Sequence, residues 1–201
     1  MPELRFSIST CSGGHGTADL ESLARILAAH EIPFTWDGYC RLGRGVTDVQ
    51  MLRSLPPLQS NPVLLASLQN EIAAQQQLVL HWSSQRSPIP AETASMLRGF
   101  SGFRIGLVTS SPRSHAEPLL RAAGILPCFR ALVCGGDCAR HKPHPEPNLL
   151  VRERLGVDWG LAFEDSDAGL ASAKAAGFTA VRVGDPNYLP GIVAASLGNV
   201  T

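Results

Sequence analysis

The chain has 201 residues, of which 44% are hydrophobic and 17% are charged, and its formal net charge is zero. A chain of this length can form one domain, or a core domain with an insertion. The charge balance excludes a basic nucleic-acid surface and a polybasic membrane patch. We find no apolar run near the ~20 residues that span a bilayer, no signal-peptide layout and, in five irregularly spaced cysteines, no disulfide framework. We therefore expect a cytoplasmic protein with reduced thiols.

The first predicted element is a short strand, LRFSIS, which leads into the segment CSGGHGTADL. From about residue 20 to 88, apolar residues recur at helical spacing, and no convincing strand interrupts them. The stretch SPIP at 87–90 breaks this pattern. The sequence thus predicts a core domain formed by 1–17 and 89–201, with a helical domain at 18–88 inserted after the first strand.

The second half of the chain alternates strands with helices. Strands joined by helices of this length predict a parallel sheet with helices on both faces, which is a Rossmann-like α/β fold. In such sheets the ligand lies beyond the carboxyl ends of the strands. The predicted strands are RIGLVTS (104–110), FRALVCG (129–135), GLAFEDS (160–166) and TAVRVG (179–184), and the helices between them are PRSHAEPLLRAAGI, PEPNLLVRERLGV and AGLASAKAAGF.

Two of these segments carry groups suited to an anion. Thr109 and Ser110 end a strand just before a helix, where hydroxyls and backbone N–H groups suit an anionic oxygen. Helix capping alone explains the same residue types equally well. Lys142, on the Pro-flanked loop HKPHPEP, can neutralise a phosphate or a carboxylate nucleophile. Taken alone, it is more simply a solvated surface lysine.

The segment AFEDSDAG places Glu164, Asp165 and Asp167 immediately after an apolar strand. Three carboxylates at one strand end repel one another unless a cation lies among them, and oxygen ligands suit Mg²⁺. The alternative is a solvated acidic turn that caps the next helix.

Together, VTSS, the Lys142 loop and FEDSDAGLASAKAAGF resemble the second, third and fourth motifs of the haloacid dehalogenase-like hydrolase superfamily. The resemblance covers nearly the whole chain and is to the branch with a helical cap inserted after the first strand. It implies a Mg²⁺-dependent phosphatase or phosphomutase that acts on a small phosphorylated metabolite through an aspartyl-phosphate intermediate. It also implies that Thr109 and Ser110 bind the phosphoryl group, that Lys142 steadies nucleophile and phosphate, and that Glu164 and Asp165 hold Mg²⁺.

The first motif of this family, an Asp-x-Asp-Gly run, is absent from the chain. In the family its first aspartate attacks phosphorus and its second acts as acid and base. Two registers are possible, with either Gly13 and His15 or Ser7 and Ser9 at the two aspartate positions, and the chain length up to Ile32 favours the serines. A serine hydroxyl is a weak nucleophile without a base, so the chain as written should be nearly inactive as a phosphatase.

The segment FSISTCSGGHGTADL also permits a different explanation. With suitably chosen codons, a shift of two bases yields Phe-Asp-Leu-Asp, and one inserted base extends it with Gly-Val-Leu-Val-Asp-Thr-Glu-Pro, a complete first motif. We hypothesise that residues from about 5 to 19 are a frame-shifted version of a normal motif. The candidate functions are a working phosphatase, a catalytically impaired relative that binds a phosphorylated ligand or partner, and a phosphomutase or dehalogenase of the same family.

Other side chains compete for a functional role. Arg44, between two glycines in the predicted cap, is a candidate for binding a substrate anion, against the alternative of a solvated turn residue. His115 lies in a helical stretch and is interpreted as a surface or packing residue. Zinc ligation is conceivable in CGGDCARHKPH, but its spacing is tighter than in common zinc sites. The residues concerned are Cys134, Cys138, His141 and His144.

Overall fold

The computed structural model describes residues 16–42, 46–85, 87 and 89–198. Within these ranges no helix is long and apolar enough to cross a membrane. The helices are α1 (Gly16–Ala29), α2 (Trp36–Leu42), α3 (Asp48–Ser54), α4 (Pro56–Gln59), α5 (Pro62–Gln85), α6 (Ala91–Gly99), α7 (Arg113–Ala122), α8 (Glu146–Leu155), α9 (Asp167–Ala175) and α10 (Leu189–Gly198). The strands are β1 (Gly106–Pro112), β2 (Ala131–Gly135), β3 (Leu161–Glu164) and β4 (Thr179–Arg182).

Helices α1, α3, α4 and α5 pack around an apolar cluster of their own. Leu27, Met51 and Leu68 are fully buried in it. A capping box starts α3, because the Thr47 hydroxyl accepts from Gln50 N at 3.3 Å while Gln50 Oε1 accepts from Thr47 N at 3.0 Å. The predicted helical character of this segment is confirmed, and its division from the core at residues 17/18 and 88/89 stays a prediction.

The strands form two parallel pairs, β1 with β2 and β3 with β4. Helix α7 connects the strands of the first pair, α9 connects those of the second, and α8 connects the two pairs. The predicted α/β class with parallel strands is confirmed. The predicted first strand, LRFSIS, lies outside the described residues.

Side chains of successive strand residues point to opposite faces. Leu107 belongs to an apolar cluster with α6, α7 and α10, whereas Val108 belongs to a second cluster with α8 and α9. Phe163 and Ala162 of β3 divide between the same two clusters. Helices therefore cover both faces of the strands, as the sequence predicts, and the carboxyl ends of the strands are left for a site.

Arginines from neighbouring elements close the carboxyl ends of α7, α8 and α9. Each of these helices ends beside a glycine with positive φ, the left-handed conformation that favours glycine. The last carbonyls of a helix have no partner within it, and a cation there also faces the negative end of the helix dipole. The pairs are Arg98 with Ala123 O at 3.0 Å, Arg104 with Leu155 O at 2.9 Å and Arg152 with Ala176 O at 2.9 Å.

The turn from β3 into α9 leaves no room for a side chain at Gly169. A Cβ atom there would lie 2.0 Å from Glu164 Oε2 and 2.5 Å from its Cδ. Ser166 holds the turn, because its hydroxyl accepts from Gly169 N at 3.0 Å and caps α9. Glycine is needed here because the Glu164 carboxylate occupies the space that a side chain would fill.

Replacing Arg152 by alanine should lower the free energy of unfolding by about 1 kcal/mol, because it removes a charged donor from the end of α9. Arg41→Ala is the matched control, since Arg41 is exposed and pairs with Asp37 within the same helix at 3.5 Å. Urea unfolding of both variants checks the prediction. An equal loss in the two would contradict a capping role for Arg152.

Replacing Gly169 by alanine should destabilise the protein by about 2 kcal/mol, because the new methyl group collides with the Glu164 carboxylate. Gly191→Ala in α10 is the control, since its Cβ would meet nothing within 4 Å. Alanine loses less backbone conformational entropy on folding than glycine does, so Gly191→Ala should be more stable by about 0.5–1 kcal/mol. Thermal unfolding should thus shift in opposite directions for the two variants, and shifts of the same sign would show that the clash is relieved elsewhere.

Candidate active site

Lys142 lies buried between the ends of β1 and β3. Its side chain is 2% exposed and that of Glu164 is 0% exposed. Lys142 Nζ donates to Glu164 Oε1 at 2.8 Å and Oε2 at 3.0 Å, and to the carbonyl of Val108 at 3.3 Å. The alternative of a solvated surface lysine is therefore wrong.

Two of the three predicted carboxylates are buried at the end of β3. Glu164 and Asp165 are both buried, whereas the side chain of Asp167 is 96% exposed and pairs with Arg182. The prediction of a three-carboxylate cluster is therefore wrong for Asp167, because that residue starts α9 and turns outward toward β4. The acidic-turn alternative fails for the other two, since Ser166 caps α9.

Thr109 and Ser110 lie on β1 directly after Val108, whose carbonyl accepts from Lys142. Thr109 is buried, and its hydroxyl accepts from Ser111 N at 3.1 Å. Helix α7 has Pro112 at its N-cap position, two residues beyond Ser110. Neither Thr109 nor Ser110 therefore occupies the capping position, and their role in binding a phosphoryl group stays a prediction.

A cavity of about 700 Å³ lies between the carboxyl ends of β1 and β2 on one side and the helices α2, α3 and α5 on the other. Lys142, Thr109, Glu164 and Asp165 are not among its lining residues. Ser110 and Ser111 reach it from β1, and hydroxyl, amide, imidazole and carboxylate groups line both of its walls. Such groups suit a small polar ligand. Further lining side chains are His115 and His141 on the strand side and Tyr39, Thr47, Asp48 and Gln76 on the helical side.

His115, interpreted from the sequence as a surface or packing residue, is half-buried in the first turn of α7 and lines this cavity. Burial lowers the pKa of His115, and the Asp48 carboxylate, which also lines the cavity, opposes that shift. The imidazole is therefore neutral near pH 7 and can both donate and accept a hydrogen bond. Its place in the helix turn after β1 is the signal that could have identified it.

Carboxylates fasten both sides of the loop that carries Lys142. Glu146 accepts from Ala139 N and from Arg140 Nε, both at 2.9 Å, and the bond from Arg140 holds the pKa of Glu146 below its usual range. On the other side, Asp137 accepts from Arg113 at 2.7 Å and from Arg154 at 2.9 Å. Burial raises the pKa of Asp137, but these hydrogen bonds and charges outweigh it and lower the pKa overall. The loop is thus held in one conformation around the buried lysine.

Three predicted site residues, Ser7, Ser9 and Arg44, lie outside the described residues. Among the residues that are described, no group of three or more His, Cys, Asp or Glu side chains is placed to hold a metal ion. The zinc site considered for the Cys134 to His144 loop is therefore not formed. Mg²⁺ is usually held by one or two carboxylates together with waters and a substrate phosphate, so the buried oxygens of Glu164 and Asp165 fit it as part of a ligand set.

Relatives in sequence match about half of the chain. Phosphoglycolate phosphatases from Salmonella typhimurium and Escherichia coli K12 are 41% and 40% identical to it over 96 residues. That stretch is 47% of this chain and 38% of each relative, so the chain spans well under half the length of these relatives.

Solved structures of the same fold match almost the whole chain. A β-phosphoglucomutase from Clostridium difficile aligns with a TM-score of 0.76 at 18% identity, covering 94% of this chain and 93% of that one. A hydrolase from Pseudomonas syringae aligns with the same TM-score and identity, covering 97% and 90%. At this identity the similarity establishes the fold.

A family model described as haloacid dehalogenase-like hydrolase matches residues 16–177. This range covers most of the chain and includes Lys142, Glu164 and Asp165, while Ser7 and Ser9 precede it. The resemblance seen in the three motifs is confirmed, and the chain belongs to the haloacid dehalogenase-like hydrolase family.

Proposed function

We propose that this protein is a Mg²⁺-dependent phosphatase that hydrolyses a small phosphomonoester. The observation that carries the proposal is the buried ion pair of Lys142 and Glu164, whose lysine also donates to the carbonyl of Val108 in the strand that carries Thr109 and Ser110. Ser110 lines a cavity of about 700 Å³ at the end of that strand. Phosphoryl transfer requires positioning and charge neutralisation more than any other contribution from the protein. The phosphoglycolate phosphatases among the relatives support a phosphatase rather than another activity of the family.

The charges of the described residues explain why a cation belongs to this proposal. Lys142 carries one positive charge against the two negative charges of Glu164 and Asp165, so these three residues alone do not supply the positive charge that a phosphate requires. Mg²⁺, when bound by these carboxylates, supplies the positive charge that polarises a phosphoryl oxygen. Lys142 neutralises the negative charge of the phosphate and of a nucleophile. The hydroxyls of Thr109 and Ser110 bind the phosphate oxygens.

The helical segment would act as a cap over this site. The cavity lies between that segment and the strand ends, so closure of the two parts would exclude water from a phosphorylated intermediate. Arg44 would contact an anionic part of the substrate from the cap side. The hydroxyl, amide and imidazole groups within the mixed lining of the cavity fit a small phosphorylated metabolite, and such substrates agree with a cytoplasmic location.

The second candidate is a catalytically impaired relative that binds a phosphorylated ligand. Serines at positions 7 and 9, in place of the aspartates of the first motif, favour it. A frame-shifted segment from about 5 to 19 favours the active phosphatase instead. A mutase would isomerise a sugar phosphate without net release of phosphate, and a dehalogenase would release halide.

Replacing Asp165 by asparagine should weaken Mg²⁺ binding at least about tenfold, because the neutral amide removes a charged ligand. Asp167→Asn is the matched control, since Asp167 is exposed and points away from the site. Isothermal titration with Mg²⁺ measures both variants whether or not the chain is active, and release of phosphate from an aryl phosphate measures catalysis. Equal Mg²⁺ affinity in the wild type and in Asp165→Asn would remove this residue from the proposed site.

Peptide mass mapping of the first thirty or so residues, on protein from its natural source, distinguishes the two candidate functions. We expect masses that contain Phe-Asp-Leu-Asp-Gly, because the chain resembles the family in its other three motifs. Masses that match FSISTCSGGHG would establish that the aspartates are absent and would favour the impaired relative.

A further inference from the structure

Two buried side chains connect α8 and α9 to the backbone of the Lys142 loop. Asn148 Nδ2 donates to Ser172 Oγ at 2.8 Å, and Ser172 Oγ donates to the carbonyl oxygen of His144 at 2.7 Å. Asn148 is 1% exposed and Ser172 is 0% exposed. His144 is only two residues beyond Lys142, so this chain of hydrogen bonds ends at the loop backbone next to the lysine.

The chemistry of the groups fixes the direction of this chain. A serine hydroxyl has a single proton, and here the proton goes to the His144 carbonyl. The same oxygen can then only accept from Asn148, which sets the orientation of the Asn148 amide. Because the side chains of Asn148 and Ser172 lie away from bulk water, a movement of the loop would leave the Ser172 hydroxyl without its acceptor.

We propose that Ser172 is a positioning residue for Lys142, and that Asn148 orients its hydroxyl. A lysine ammonium stands on a flexible four-carbon stem, so its placement depends on a fixed backbone. Glu146 holds the exposed side of the loop, and Ser172 holds its buried side. The catalytic meaning of this role rests on the proposed function, but the placement of the lysine can be measured without any activity.

The hydrogen-bond chain is separate from the packing that joins the two helices. Val151 of α8 and Ala173 of α9 belong to one buried apolar cluster, which does not depend on the Ser172 hydroxyl. Ser172→Ala removes a single oxygen and keeps the helix, since alanine is the residue that favours helices most. Loss of this hydroxyl should therefore loosen the loop rather than unfold the protein.

The chain has two lysines, Lys142 and Lys174, and this allows a direct measurement. Lys142 is buried, whereas Lys174 is exposed on α9. Brief acetylation of the intact protein, followed by peptide mass spectrometry, gives the rate at Lys142 relative to Lys174 as an internal reference. We expect a low ratio in the wild type and a rise of about fivefold in Ser172→Ala. The loss of one hydrogen bond should raise the population of the open loop, in which Lys142 can react, by about that factor.

Three further variants separate positioning from general destabilisation. Asn148→Asp should raise the ratio as Ser172→Ala does, because the carboxylate would draw the serine proton away from His144. Ser196→Ala, which loses a comparable 2.8 Å bond to the carbonyl of Ile192 in α10, should leave the ratio unchanged. Arg152→Ala should also leave it unchanged, although it lowers stability. A ratio that stays low in Ser172→Ala, or rises equally in Arg152→Ala, overturns the proposal.

The activity of the same variants keeps this proposal apart from the proposed function. In an active protein, Ser172→Ala should lower kcat for phosphate release and change KM little, because the lysine acts on the phosphoryl group after binding. A wild-type protein that releases no phosphate counts against the proposed function, while the acetylation ratio still decides the role of Ser172.

Discussion

Lys142 and Glu164 form an ion pair from which bulk water is excluded, and the lysine joins the middle of β1 to the end of β3 through the carbonyl of Val108. Removing two charges from water costs several kcal/mol per ion, and only close and well-directed contacts offset that cost. Contacts of 2.8 and 3.0 Å to both carboxylate oxygens meet this requirement. The same ion pair therefore serves both the fold and the candidate site. The absence of a side chain at Gly169 leaves room for the Glu164 carboxylate.

The rest of the core follows from holding these two charges in place. Alternating side chains on β1 and β3 direct apolar groups to both faces, where helices cover them, so only the strand ends remain open for polar groups. Arginines donate to carbonyl groups at the carboxyl ends of α7, α8 and α9. The Lys142 loop is held by hydrogen bonds of Asp137, Glu146 and the Ser172 hydroxyl. Ordinary stabilising contacts thus surround the one costly pair.

The sequence predicted the four strands that the structure describes and identified Lys142 and Glu164 as candidates, but not which side chains face inward. Apolar runs that end in polar residues identify β1 and β3, and the motifs identify Lys142 and Glu164. Asp167 was assigned to the wrong environment because the chain turns between the end of β3 and the start of α9. This turn directs the Asp167 side chain toward Arg182. Ser172 and His115 were missed because their partners and surroundings come from distant parts of the chain, which no local pattern encodes.

Stability alone does not account for the buried lysine. Well-packed apolar residues often replace a buried ion pair without loss, or with a gain, of stability, so such a pair is weak evidence of a structural role. In this chain the residue that follows Glu164, Asp165, is also buried. Keeping a further acidic residue out of water adds to the cost that the fold must offset. This cost is the reason for proposing a cation and a phosphate at this place in the fold, and the residues at positions 7 and 9 decide whether a bound phosphoryl group is also transferred.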